Sequence, residues 1–230
     1  MISIIIPAHR EGEKLTELLS WILKMPKGIA KEIIVALSPE SSTQLLNDFR
    51  HRLQIVQCKQ KGRAAQMNEG ALVARGETLV FLHADVMPPN TFLEDIHQEL
   101  VNGFDAGFFT YKFDSDSFWL KINASFTRRD GLFTGGGDQC LFIRKSVFEK
   151  LGRFDDQQLL MEDFELFKRM KRERVPYTII CKDLIVSPRK YKYNSYLRVN
   201  LSNLLLVILF NVGYPSVKLK SIHDRLIRSS

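Results

Sequence analysis

Ser3-Ile4-Ile5-Ile6-Pro7, followed by the segment Lys14-Leu15-Thr16-Glu17-Leu18-Leu19-Ser20-Trp21-Ile22-Leu23-Lys24, is the stretch from which the fold can be read. Three β-branched isoleucines closed by a proline predict a short buried strand ending in a loop. The next segment places Leu15, Leu18, Leu19, Ile22 and Leu23 at a helical period, so one of its faces belongs on a core. The chain then repeats this strand-and-helix unit. Residues 32–37 read as a second strand, Ser38-Pro39-Glu40-Ser41-Ser42 as a turn into a helix to about Arg50, and residues 53–57 as a third strand. Gly62 opens a helix over 63–74 that Gly76 stops. Residues 78–82 form a fourth strand running into His83-Ala84-Asp85, and Pro88-Pro89 turns the chain into a helix over 91–102.

Such alternation predicts an α/β fold: a mostly parallel, Rossmann-like sheet with helices on both faces. Ligands of these sheets gather at the carboxyl ends of the strands. Pro7 to Glu11, Ser38 to Glu40 and Asp85 all fall at such ends, so one crevice would gather all three. The second half is less regular. It reads as a strand over 106–113, a helix over 118–129, a loop at Gly135-Gly136-Gly137, and the apolar stretch Leu141-Phe142-Ile143 before a helix over 145–151. A helix over 162–172, a strand over 177–180 and a helix over 195–210 follow, the last ended by Gly213 and Pro215. No repeat, low-complexity tract or inter-domain linker is present, so one domain with a C-terminal extension is expected.

The composition, 45% hydrophobic and 26% charged over 230 residues, is ample for a sizeable core. The three cysteines, Cys58, Cys140 and Cys181, lack metal-ligand spacing, and their odd number argues against a disulfide framework, so a reducing, cytoplasmic setting is expected. The opening apolar run is too short for a secretory signal. The longest uncharged apolar run, residues 204–210, falls short of the ~20 residues that span a bilayer. The net charge of +7 is uneven: residues 182–230 hold nine Lys or Arg and two Asp, leaving 24 of each sign before them. A basic tail beside an apolar helix suits an anionic membrane surface or an anionic acceptor, and equally a solvated basic face. Nucleic acid is not expected as a partner, because the motifs suit small-molecule chemistry.

Two acidic clusters carry that chemistry. Gly137-Asp138-Gln139 and Met161-Glu162-Asp163 flank an apolar stretch and a helix, so they can face one pocket from separate elements, as proton transfer to a bound substrate needs. Asp85, at the end of an apolar strand, is placed to hold Mg²⁺ or Mn²⁺ on a diphosphate; its alternative is a turn or helix-cap carboxylate before Pro88. His83 could be a second ligand or a core histidine. Gly62-Arg63 at a helix start offers backbone N–H groups and a guanidinium to a phosphate or ribose edge, while the small residues that follow suit close packing. Glu162-Asp163 at a helix start could be simple dipole compensation. Arg189-Lys190-Tyr191 could bind a diphosphate or an acceptor, or be a basic loop. No Ser–His–Asp set, P-loop or G-x-G-x-x-G occurs, which removes support for acyl transfer, NTPase and dehydrogenase chemistry.

Together, Ile4-Ile5-Ile6-Pro7 with Glu11, Glu32-Ile33-Ile34-Val35 and Phe81-Leu82-His83-Ala84-Asp85 resemble the family 2 glycosyltransferases of the GT-A fold. Gly62-Arg63-Ala64-Ala65-Gln66-Met67-Asn68-Glu69-Gly70-Ala71 sharpens the match, as do Gly137-Asp138-Gln139 with Phe142-Ile143-Arg144-Lys145 and Met161-Glu162-Asp163. Within that family the chain is similar to a small bacterial subgroup of arsenosugar-biosynthesis or diaponeurosporenoate glycosyltransferase type. The resemblance covers essentially the whole chain, from Ile2 to about Leu219.

It implies a GT-A domain over residues 1–194, with a nucleotide-binding half over about 1–103 and an acceptor half over about 104–194. Residues 195–230 are then a basic, apolar helical extension. Pro7 and Glu11 would line the nucleoside pocket, with Arg63 near the base or ribose. Asp85 would hold Mn²⁺ or Mg²⁺ and the diphosphate, and Asp163 would be the acceptor-activating base of an inverting enzyme. Asp138, Gln139 and Glu162 would shape the sugar and acceptor site, and Arg189, Lys190 and Tyr191 would stand near the diphosphate or acceptor. The implied partners are a nucleotide-diphospho-sugar, with UDP-sugar favoured, and a small-molecule or lipid-linked acceptor. Contact with a membrane through 195–228 would suit the latter.

Two positions depart from the family pattern. Ala36 is the closest match to the Asp that reads a uracil edge after the second strand, and His83 stands at the first position of the D-x-D element. The altered loop keeps open a nucleotide-sugar-binding protein without transferase activity, and the tail keeps open a peripheral membrane interaction protein.

Overall fold

The computed structural model describes residues 1–9, 11–26, 28–131 and 133–227. The last three positions of the expected extension, 228–230, lie outside the described residues. Strand β1 (Ile2–Ala8) is buried along its whole length, as a strand covered on both faces must be. Its residues alternate between two cores. Ile4 and Ile6 pack with Leu18, Leu19 and Ile22 of α1 (Glu13–Lys24). Ile5 joins Ile34 and the face of α2 (Arg63–Val73) that carries Ala64, Met67 and Ala71. Each isoleucine so buried contributes about 1.5–3 kcal/mol.

The small residues of α2 explain how close that helix comes. A Cβ on Gly70 would meet the Ile5 side chain at 2.6 Å, so only glycine lets the helix lie on the sheet here. Gln66 of α2 is buried, and its amide donates to the Ala8 carbonyl (2.9 Å) and the Ala36 carbonyl (2.7 Å). This one side chain clamps the carboxyl ends of two strands.

The remaining strands are β2 (Lys31–Leu37), β3 (Gln54–Gln57), β4 (Thr78–Phe81), β5 (Val86–Met87), β6 (Ala106–Phe113), β7 (Leu141–Arg144) and β8 (Tyr177–Val186). They form one sheet in the order β3-β2-β1-β4-β7-β6-β8-β5. The first four pair in parallel, as the strand–helix alternation predicts, and β6 runs parallel to β8. Strand β7 is antiparallel to both β4 and β6, and β5 to β8, so the second half of the sheet is mixed. The apolar stretch Leu141-Phe142-Ile143, to which the sequence assigns no secondary structure, lies in β7. This is the strand that joins the two halves, Phe142 facing Val80 on one side and Gly107 on the other.

The helices are α3 (Phe92–Val101), α4 (Phe118–Ser125), α5 (Lys145–Lys150), α6 (Glu162–Arg172), α7 (Arg189–Tyr193), α8 (Tyr196–Asn211) and α9 (Ser216–Leu226). Three expectations are corrected. The helix after Ser42 is a 3-10 turn over Gln44–Phe49, with only Leu46 buried to hold it. The helix over 118–129 ends as α at Ser125 and closes with the 3-10 turn Phe126–Arg128, where the Thr127 hydroxyl donates back to the Ala124 carbonyl. The strand expected over 177–180 continues to Val186, past an irregularity at Phe109/Tyr111 on its partner.

The extension lies on the domain. Helix α8, N-capped by Ser195, buries Val199, Ser202, Leu206 and Val207, and α9 buries Leu219. The Arg198 guanidinium donates to the Leu226 carbonyl and holds the two helices together. Among the described residues no helix is long and apolar enough to cross a membrane.

Candidate active site

Parallel pairing brings the ends of β1, β2 and β4 to one edge, where the segments after β1 and β4 line a crevice; Ser38 to Glu40, expected in it, line neither of its chambers. Two adjoining chambers occupy it. The first is lined by Pro7, Glu11, Asp85, Arg189 and Tyr191, the second by Phe133, Met161, Asp163, Phe164 and Leu206. Arg63, His83, Tyr111, Asp138, Lys190 and Asn203 face both. The structure therefore gathers the expected residues from six separate segments of chain around one cleft.

In the first chamber, Glu11 sits close enough to Asp85 for their charges to interact. Burial and then the Asp85 charge raise the Glu11 pKa, while Arg189, His83 and His9 act the other way. Lys14 donates to the Ser187 hydroxyl (2.6 Å), tying α1 to the segment that leads into α7. Arg189-Lys190-Tyr191 was open between a binding element and a basic loop; it forms the short helix α7, with Arg189 and Lys190 exposed toward the cleft. The Tyr191 hydroxyl accepts from Asn123 (3.1 Å) and its ring stacks on Tyr196.

At the junction, Arg63 opens α2 and forms an ion pair with Glu162, the first residue of α6. Glu162 is only 1% exposed. Burial alone would raise its pKa, but the Arg63 charge and hydrogen bond outweigh it and keep the carboxylate ionised. Glu162 thus shapes the site through Arg63 and not by its own contact with the cleft. Asp138 is held well below the usual carboxylate range: burial opposes ionisation, but the His83 ring, 3.9 Å away, together with Lys190 and Arg63, prevails.

Asp163 behaves in the opposite way. Burial and the neighbouring Glu162 charge push its carboxyl up to about 7, against the pull of Arg63 and His83. Two adjacent carboxyls in one helical turn are thereby driven to different protonation behaviour. The backbone is shaped to allow it. Met161, before α6, has φ 67°, a left-handed conformation that costs a non-glycine residue about 1–3 kcal/mol. Gly137 fills the gap between the His83 and Asp163 side chains. A Cβ there would lie 2.1 Å from the His83 ring and 2.6 Å from the Asp163 carboxylate. The loop expected at Gly135-Gly136-Gly137 is wedged between these side chains and runs into the 3-10 turn Gly137–Gln139.

Gln139 faces inward. Its carbonyl oxygen accepts from the Gly135 amide (2.9 Å), and its amide lies 3.5 Å from the Phe109 and Thr127 carbonyls. It braces the loop that presents Asp138. Sequence reasoning missed Tyr111, Asn203, Leu206 and His223. Tyr111 had a signal, since it sits on an expected strand; the other three come from α8 and α9, and nothing local marks them.

For a divalent cation, no group of three or more His, Cys, Asp or Glu side chains is gathered among the described residues. Asp85, with Glu11 beside it, offers hard carboxylate oxygens, and His83 lines the same chamber. That fits a Mn²⁺ or Mg²⁺ ion that takes its other ligands from phosphate oxygens and water.

The sequence model of glycosyl transferase family 2 matches residues 3–161. A glycosyltransferase of Streptococcus pneumoniae, GlyG, is 24% identical over 184 residues; these are 74% of this chain and 57% of GlyG, so the chain spans little more than half the length of that relative. The mannosyltransferase PcManGT of Pyrobaculum calidifontis, solved with GDP-Man and Mn²⁺, superposes with a TM-score of 0.68 at 16% identity, covering 98% of this chain and 68% of that one. The S. aureus TarS structure in complex with UDP-GlcNAc superposes at 0.64 and 14% identity, covering 98% and 71%. At such identities the two structures establish the fold, a curled α/β sheet of GT-A type.

Proposed function

Because the chain belongs to glycosyl transferase family 2, we propose that its crevice transfers a sugar from a nucleotide diphosphate to an acceptor hydroxyl or carboxylate with inversion at the anomeric carbon. The observation that carries this reading is Asp163: a carboxyl raised to about 7 in the second chamber, next to the Arg63, His83 and Asp138 that line both chambers. A base with a pKa near the working pH is the efficient one. The family membership and the two nucleotide-sugar complexes of like fold support a nucleotide-sugar donor.

In this reading the donor diphosphate lies in the first chamber, between Asp85 and the cations Arg189 and Lys190. Pro7 and Glu11 border the nucleoside. Asp85, with Glu11 beside it, would hold Mn²⁺ or Mg²⁺, which supplies positive charge to a leaving diphosphate. The acceptor enters the second chamber. Asp163 takes the proton of an acceptor hydroxyl as its oxygen forms a bond to the anomeric carbon. The bond from that carbon to the diphosphate oxygen breaks, and the nucleoside diphosphate leaves with the electron pair. An acceptor that arrives as a carboxylate needs no base. Arg63 and Glu162 hold Asp163 in place, His83 and Asp138 border the sugar, and the enzyme forms no covalent intermediate.

The lining of the second chamber by Phe133, Leu160, Met161, Phe164, Leu206 and Val207 favours an acceptor with an apolar body beside its reacting oxygen, small or lipid-linked. This suits the diaponeurosporenoate-type subgroup better than the arsenosugar type. UDP remains the favoured nucleotide. Calorimetric titration with UDP, GDP and their sugar conjugates, with and without Mn²⁺, tests the donor site. We expect one nucleotide to bind in a Mn²⁺-dependent way and Asp85→Asn to lose that dependence. Asp163→Asn should bind the donor and fail to turn over, and equal loss of both would remove the base assignment. Donor binding by the wild-type protein with no transfer across an acceptor panel would leave a binding protein in place of an enzyme.

A further inference from the structure

We propose that the outer face of α8, with the aromatic edge of α4, docks on an anionic lipid surface. Helix α8 is apolar on two sides. Val199, Ser202, Leu206 and Val207 face the domain, and Leu197, Leu201, Leu205, Ile208 and Val212 recur at helical spacing on the other side. Those five are 68, 62, 42, 48 and 73% exposed. Phe118 and Trp119 of α4 extend the stripe, both more than half exposed, and Trp119 packs on Tyr196 of α8 with ring centroids 5.6 Å apart. Single exposed hydrophobics are ordinary on a protein surface; a continuous stripe this long is a contact surface.

The charge around the stripe selects the occupant. Between Asp183 and Asp224 the chain has no acidic residue; besides the cleft-lining Arg189 and Lys190, the cations Lys192, Arg198, Lys218 and Lys220 fall in that interval, Lys220 paired with Asp224. A second copy of this chain, paired face to face, would set the same cations against themselves. An anionic bilayer offers the complementary pair of layers: headgroup charge for the lysines and arginines, and acyl boundary for the leucines. A tryptophan at the edge of such a face is suited to the interface between them. With 16 residues, α8 is about 24 Å long and would lie in that interface without crossing it.

The test is vesicle flotation of the full chain, without donor or acceptor, so its result stands apart from the transferase reading. Vesicles of phosphatidylcholine alone are compared with vesicles of phosphatidylcholine and phosphatidylglycerol. We expect flotation with the anionic vesicles, a blue shift of tryptophan emission, and weakening by high salt. The double variant Leu201→Glu, Ile208→Glu changes exposed positions only; it should keep its circular dichroism and its donor titration and lose at least tenfold in vesicle affinity. A wild-type chain that stays with the soluble fraction overturns the proposal, as does equal binding to both kinds of vesicle. A wild-type dimer in light scattering that the double variant converts to monomer would name a second copy as the occupant and overturn it too.

Discussion

Asp163→Asn should remove transfer activity and make the protein more stable, and the gain should depend on pH. In the unfolded chain the carboxyl titrates near its ordinary 3.8, and in the folded protein it is pushed up to about 7, by burial first and by the Glu162 charge second. Between these values the folded state holds a proton that the unfolded state has released. Stability therefore falls as pH rises through that window, and levels off above about 7. A difference of about three units at about 1.36 kcal/mol each sets a ceiling of about 4 kcal/mol. Asp163 lines an open chamber, where solvent screens its charge, so about 2 kcal/mol is expected at pH 8. That corresponds to a Tm about 4–8 °C higher for a chain of this size. At pH 5 only about a third of the gain should remain, since little of the window has been crossed. Urea unfolding of both proteins at pH 5 and pH 8, followed by circular dichroism, reads the two numbers. An asparagine variant no more stable at pH 8, or one equally stabilised at both values, would refute the electrostatic account of this site.

Three further outcomes follow from the same geometry. The kcat/KM of the wild-type enzyme for a hydroxyl acceptor should fall about tenfold per pH unit below about 7, as Asp163 takes up its proton; Glu162→Gln removes the second cause of the raised pKa and should move that limb to lower pH. Gly137→Ala drives a methyl into the His83 ring and the Asp163 carboxylate, so it should cost about 1–3 kcal/mol in stability and at least ~100-fold in kcat, read by denaturation and by initial rates. Arg63→Ala leaves the buried Glu162 carboxylate without its partner and should destabilise by about 2–4 kcal/mol; Arg63→Ala with Glu162→Gln should recover most of that stability and none of the activity.

The sequence disclosed the parallel half of the sheet well because the physics there is local. Ile4-Ile5-Ile6 is buried on both sides, the α1 leucines keep one period, and Gly62 and Gly76 bracket α2, so each element announces itself. The mixed half depends on partners far away in the chain. Strand β7 is four residues long, and it pairs with β4 and β6 through contacts that no local pattern encodes. The expected site residues were visible as types, since Asp85, Asp138 and Asp163 sit at the ends of readable elements. Their division of labour was not. That Glu162 is bound to Arg63, 99 positions away, while Asp163 is left as the raised carboxyl, is a consequence of packing. The part played by α8 in the second chamber was equally hidden, because its buried and exposed faces are both apolar.

Ala36 shows how position in the fold alters the meaning of a departure from a family pattern. Read along the chain, it stands where a base-reading carboxylate is expected. In the folded protein it is fully buried, its carbonyl is held by Gln66, and its Cβ lies 3.6 Å from the point a Gly70 side chain would occupy. A carboxylate at that position would be trapped beneath α2, where burial without a partner costs several kcal/mol. At the carboxyl end of β2 the polar side chain that meets the loop after β1 is two residues further on. The Ser38 hydroxyl lies 2.7 Å from His9 Nδ1 and 2.8 Å from the Ser41 hydroxyl, and the Ser38 carbonyl accepts from the Gln57 amide at 2.7 Å. The strand end is therefore built around a hydroxyl and imidazole network, with α2 packed too close to the sheet for an acidic residue at 36. The close packing that Gly70 permits and the absence of a carboxylate at position 36 belong to one structural choice.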